Sequence, residues 1–176
     1  MSKHSIIKDS DMAGLYQSVH LLIQEARKKV AVYVNAEATL LNYKVGSYIH
    51  HFILEGNRAT YGSQIITKLS EQLTQTFGTG WSDKHLRHCL RTAETFTEEQ
   101  IISAVQRQLS WTHLKTLAYE NDPLKRNFYL EMTILQRWNT RTLAEQIDKM
   151  LYERTAIASK PQEQIAQALK ALNAAE

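Results

Sequence analysis

Residues 10–56 read SDMAGLYQSVHLLIQEARKKVAVYVNAEATLLNYKVGSYIHHFILEG. The segment has no proline, and after Gly14 its one internal glycine is Gly46. Apolar residues fall at Leu15, Val19, Leu22, Ile23, Ala26, Val30, Val34, Leu41, Val45, Tyr48, Ile49 and Phe52. The steps are mostly three and four, the repeat of an α-helix. Ser10 suits an N-cap and Gly56 a stop. The spacing predicts one long helix over 10–55, with Gly46 as the one place for a break. A helix of that length must cover its apolar stripe over most of its turns. A partner chain is one candidate for the cover.

Working outward, the remaining chain reads as shorter helices. Residues 56–62, GNRATYG, form a loop. Ser63 is the expected cap of a helix through Thr76, and Gly78-Thr79-Gly80 ends it. Ser82 caps the next helix, to Phe96. Thr97-Glu98-Glu99-Gln100 is a capping box, a hydroxyl followed three residues on by an amide that reaches back. Ser110 caps a short helix to Glu120. Asp122 precedes a proline at the first helical position, Pro123. Asn139 caps a helix to Arg154, Ala156–Lys160 is a linker, and Pro161 opens a last Ala/Gln-rich helix. Trp81-Ser82…Leu86, Leu109-Ser110…Leu114 and Trp138-Asn139…Leu143 share the hydrophobic staple, an apolar residue before the cap packing on the fourth helical residue. The recurrence reads as three well-made helix starts rather than as a duplicated helix-turn-helix unit.

The expected fold class is therefore all-α: a long N-terminal helix plus a bundle of about six shorter helices with helix-turn-helix-like pairs. The expected organisation is a flexible 1–9, a helical domain over 10–155, and a linker and C-terminal helix over 156–176. Composition agrees. In 176 residues there are two prolines and six glycines, too little punctuation for a many-stranded β fold. Hydrophobic residues are 43% and charged residues 22%, ordinary for a globular chain that buries a core without staples. The one cysteine, Cys89, excludes an intramolecular disulfide framework and points to a reducing compartment, expected to be the cytoplasm. No run reaches the length of a membrane span, so no membrane partner is expected. A net charge of +3 permits a polyanionic partner.

Helix 82–96 carries the candidate chemistry. Leu86, Cys89, Leu90 and Ala93 share one face, and Lys84, Arg87, His88 and Arg91 the opposite one. A preceding helix, a glycine-bearing turn and a cationic outer stripe form the helix-turn-helix arrangement, whose Arg and Lys meet phosphates or guanine edges. Lys84, Arg87, His88 and Arg91 are thus the expected nucleic-acid contacts. Failing them, the contact falls around Arg137, Arg141 and Lys149. An ordinary solvated helix face, diluted by Asp83 and Glu94, is the competing reading. His85, His88 and Cys89 have metal-ligand spacing, but they lie on different faces and no second cluster completes four ligands, so no metal is expected. His50-His51 point to different sides, and Trp81, Trp111 and Trp138 are explained as staples. Cys89 reads as a small apolar filler. No phosphate cradle, HExxH or GxSxG occurs, so no cofactor is expected. No lysine follows an Asp or Glu by two positions, so the acid-x-lysine element of a PD-(D/E)XK nuclease is missing, and no catalysis is expected.

A run of short motifs then points to one family. They are Leu41-Asn42-Tyr43-Lys44-Val45-Gly46-Ser47-Tyr48-Ile49, Tyr61-Gly62 with Leu69-Ser70, and Phe77-Gly78-Thr79-Gly80-Trp81-Ser82 with Leu86. Leu109-Ser110-Trp111-Thr112-His113, Phe128-Tyr129, Trp138-Asn139-Thr140-Arg141-Thr142-Leu143, and Ile147 with Leu151-Tyr152-Glu153-Arg154 continue the series. Over residues 12–158 the chain resembles the N-terminal helical domain of the YhcG-like bacterial proteins, whose longer members carry a C-terminal PD-(D/E)XK nuclease domain. The resemblance implies a bacterial, DNA-related setting. The catalytic residues of the longer members have no counterpart in this chain. Two functions follow as expectations. One is a non-catalytic DNA-binding module that positions or regulates a nuclease. The other is an oligomerisation or protein-docking module built on helix 10–55, with a second copy, a nuclease domain or another protein as its partner.

Overall fold

The computed structural model describes residues 9–55 and 62–156, and everything within them is helix or short connection. The elements are α1 (Asp9–Glu55), α2 (Gly62–Phe77), a single tight 3-10 turn at Thr79–Trp81, α3 (Asp83–Thr95), α4 (Glu98–Gln106), α5 (Trp111–Leu117), α6 (Pro123–Leu135) and α7 (Thr140–Asp148), with residues 151–156 helical again. The expected all-α fold with a long N-terminal helix is the one observed. Of the flexible N-terminus expected over 1–9, Asp9 already belongs to α1 and residues 1–8 lie outside the described residues, as do residues 56–61 of the expected loop and the last helix expected beyond 156.

Gly46 does not break α1, which runs unbent by any gap through it. It is a contact instead. A Cβ built there would lie 2.0 Å from the carbonyl oxygen of Cys89 and 2.4 Å from its carbon. The backbones of α1 and α3 therefore touch at this crossing, and only a residue without a side chain fits between them. α1 packs chiefly on α3, with lesser contacts to α4 and α5. Thr39 and Ile49 are its buried outposts on either side of Gly46. Thr39 satisfies its hydroxyl by donating to the carbonyl of Asn35 at 2.7 Å.

Two apolar clusters flank α3. One gathers Ile49, Ile66 and Leu86, joining α1, α2 and α3. The other joins α4 to α7 around Ile101, Leu114, Leu117, Tyr129 and Leu143, all fully buried. The expected staples are present: Leu86, Leu114 and Leu143 have no exposed surface. The caps also form. Ser82 accepts from the His85 N–H, Thr97 and Gln100 complete the capping box, Asp122 accepts from Leu124, and Asn139 accepts from Thr142. Ser63 does not cap α2. It lies inside the first turn, and its hydroxyl accepts from the Arg87 guanidinium at 3.0 Å.

The staples extend into something the sequence did not show. α4 ends with Gln108 in the left-handed region (φ 64), and the Leu109 N–H then reaches back to the Ala104 carbonyl at 3.0 Å. α6 ends with Arg137 likewise (φ 51), and the Trp138 N–H reaches the Thr133 carbonyl at 3.0 Å. Both are Schellman closures made without glycine. Leu109 and Trp138 therefore each finish one helix and staple the next. His113 ties the two turns together. The Ser110 N–H donates to His113 Nδ1 at 3.1 Å, so Nε2 carries the hydrogen and donates to the Trp138 carbonyl at 3.0 Å.

Candidate functional site

The four expected nucleic-acid residues, Lys84, Arg87, His88 and Arg91, do occupy one side of α3, but that side is not bare. Arg91 Nε donates to the Ala118 carbonyl at 3.0 Å and Nη2 to Asn121 Oδ1 at 2.6 Å, so it closes the C-terminal end of α5. His88 Nδ1 is hydrogen-bonded to the Tyr119 hydroxyl at 2.7 Å, ring edge to ring face. Burial first, then Lys115, Lys84 and His85, push His88 below its ordinary value. Near neutral pH the stripe is therefore charged at Lys84, Arg87 and Arg91 alone. Arg87 is paired with Asp83 at 2.6 Å, one helical turn back. That guanidinium, and after it the Thr67 hydroxyl, hold the Asp83 carboxyl below the usual carboxylate range. Lys84 is exposed. The buried face is Leu86, Cys89 and Thr92; Ala93 is half-buried, because α3 is covered by α1 on one flank and α5 on another.

The histidine and cysteine spacing on α3 resolves into packing. His85 Nε2 lies 3.0 Å from Asn42 Oδ1 and 3.6 Å from Cys89 Sγ, with its ring edge-on to both Trp81 and Trp111. His88 turns the other way, to Tyr119. Among the described residues no three of His, Cys, Asp and Glu converge as metal ligands would. Burial pushes the Cys89 thiol up to about 12, which removes the thiolate a nucleophile needs. Arg141 forms the expected pair with Glu145 at 3.2 Å, the arginine almost wholly in solvent and the glutamate half-exposed.

α1 offers a different surface. Every side chain described from residue 12 to residue 35 is exposed. Eleven of those are large apolar groups, among them Leu15, Val19, Leu22, Ile23, Val30, Tyr33 and Val34. Beyond residue 35 the helix lies on the bundle, yet its outer side still shows Leu41 and Tyr48, the latter 78% exposed. At 100° per residue these nine, with Ala26, fall on one stripe, half a turn from the buried Thr39 and Gly46. The apolar face of α1 thus has its back to the bundle for the whole distance, interrupted at Glu37 and Lys44. Among the described residues no helix is long and apolar enough to cross a membrane.

A third feature escaped the sequence reading. A cleft of about 600 Å³ opens between the Gln108 and Arg137 turns, with Lys28 of α1 as its third wall. Helical period in the sequence marks Arg137 only as a second choice. It does not mark Lys28 and Arg107, since nothing in the chain order places residue 28 beside residues 107 and 137.

Residues 18–154 match the DUF1016 N-terminal domain family. The chain is 27% identical over 187 residues to the Escherichia coli (strain K12) protein named "Putative nuclease YhcG", a match covering 86% of this chain and 49% of that protein. The chain thus spans about half the length of the curated relative it matches. No solved structure matches it.

Proposed function

Because the chain belongs to the DUF1016 N-terminal domain family, with a relative twice its span that bears the name "Putative nuclease YhcG", we propose that it is a non-catalytic assembly module that brings nuclease-type chains together. The observation that supports this is the outward stripe of α1. A helix with half of each apolar side chain in water, over this many turns, lacks its packing partner. A second copy of the same chain is the partner we assign. From Leu15 to Tyr48 the stripe runs about 50 Å by helical rise. Ten side chains, each offering on the order of 100 Å², supply about 1,000 Å² per copy, above the ~800 Å² per partner of a stable interface. Ala26, Val30, Val34 and Ala38 recur every four residues and are small, so a facing helix can approach closely. The seam steps of three and four suit helix-on-helix pairing. The DNA-positioning reading through α3 rests on Lys84 and Arg87, and it is compatible with assembly.

Sedimentation equilibrium on the wild-type chain and a Val19→Glu, Val30→Glu double variant tests the assembly. Wild type is expected to dimerise at micromolar concentration. The variant, whose new charges lie in solvent in the single copy, is expected to stay monomeric with unchanged helicity. A wild type that remains monomeric at tens of micromolar, well above the Kd an interface of this size ordinarily gives, overturns it.

A further inference from the structure

We propose that the cleft between the two left-handed turns holds the phosphate backbone of a nucleic-acid strand, through Lys28, Arg107 and Arg137. The three cations come from α1, the end of α4 and the end of α6, and the cleft lining contains no aspartate or glutamate. Arg107 has one acidic partner, Glu131, at 3.1 Å, and that pair is open to water on both sides. The side chains of Arg137 and Lys28 are exposed and make no hydrogen bond or ion pair among the described residues. This contrasts with α3, where Arg91 spends its donors on Ala118 and Asn121 and Arg87 on Asp83 and Ser63. His113, the remaining titratable group in the lining, adds no charge near neutral pH, because burial holds it below its ordinary value.

Backbone conformation supports the same site. Gln108 and Arg137 both sit at positive φ, where glycine is cheaper, and both line the cleft. The His113 bond to Trp138 fixes the two turns against each other, so the spacing of the cations is held by the fold. Exposed cations drawn from three elements, with none of them enclosed, match a row of phosphates better than one small anion. Lys28 lies half a helical turn from the apolar stripe of α1, so pairing of two copies leaves the cleft open.

Fluorescence anisotropy of a labelled DNA duplex of about two helical turns, titrated from about 50 to about 200 mM salt, tests the site. Lys28→Ala with Arg137→Ala is expected to lower the salt slope by about two units and weaken binding about 30-fold near 0.15 M salt, two phosphate contacts at ~0.9 unit each. Circular dichroism confirms that the exposed substitutions leave the fold intact. Absence of binding by the wild type at low salt overturns the proposal. So does an unchanged slope in the double variant, or a loss of slope confined to a Lys84→Ala, Arg87→Ala control.

Discussion

Gly46→Ala separates two physical accounts of α1. Helix propensity alone predicts a gain, since alanine in a helix interior is favoured over glycine by about 1 kcal/mol. The crossing with α3 predicts a loss. The new methyl would lie 2.0 Å from the Cys89 carbonyl oxygen, and ordinary contact begins at 3.4 Å, so the two helices must part by about 1.4 Å. The obstacle is backbone, which cannot swing aside as a side-chain tip can. Forcing extra volume into a packed site costs about 1–3 kcal/mol, and an immovable neighbour puts this case at the upper end. Setting ~3 kcal/mol against ~1 kcal/mol leaves a net loss of about 2 kcal/mol. With a urea slope near 2 kcal/mol/M, the unfolding midpoint should fall by about 1 M. Urea titration followed by circular dichroism reads this directly. A variant as stable as wild type, or more stable, would refute the close-crossing argument and restore propensity as the deciding effect.

Two further expectations concern titratable groups shifted by burial, one wholly buried and one half-buried. Cys89, with its thiol raised to about 12, should resist iodoacetamide at pH 8 in the native chain and react only as urea unfolds it; rapid labelling without denaturant would contradict its burial. His113 is held below its ordinary value of 6.5 by burial, the bond to the Trp138 carbonyl opposing only in part. Its neutral form belongs to the folded state, so its contribution is complete above pH 6.5 and is lost as pH falls below that through the lower folded value. Urea midpoints should therefore drop between neutral and mildly acidic pH. His113→Gln should drop less steeply, and an identical slope in wild type and variant would show that His113 does not titrate between the two states.

What could be read from the sequence was what is written locally. Caps at Ser82, Thr97, Asp122 and Asn139 require only a hydroxyl, carboxyl or amide beside an N–H within the same turn, so residue order shows them. The unbroken apolar period of residues 10–55 likewise announces α1. The family resemblance read from the short motifs agrees with the domain family that residues 18–154 match. What failed depended on contacts distant in sequence. Gly46 looks like a helix break until Cys89 is placed against it. Thr92 looks polar and Ala93 apolar, yet Thr92 is the buried one, its hydroxyl donating to the His88 carbonyl at 2.8 Å. The left-handed closures at Gln108 and Arg137 were illegible because glycine, the usual sign, is absent. The stripe Lys84, Arg87, His88 and Arg91 was found by helical period, but period says nothing of Ala118, Tyr119 or Asn121 arriving to take up two of the four.

The double duty of Leu109 and Trp138 bears on how this chain can change length. In each turn one residue closes the helix behind it and anchors the helix ahead, with a capping residue following at once. No residue between α4 and α5, or between α6 and α7, is idle. An inserted or deleted residue would shift the reach of the closing bond and the aim of the anchor together, so one helix or the other would lose its end. Loops elsewhere tolerate insertion because slack in the chain absorbs it. These two junctions have no slack, so length variation at them should be far rarer than substitution. The same rigidity makes them poor places to splice a tag or a linker, even though both turns lie at the surface.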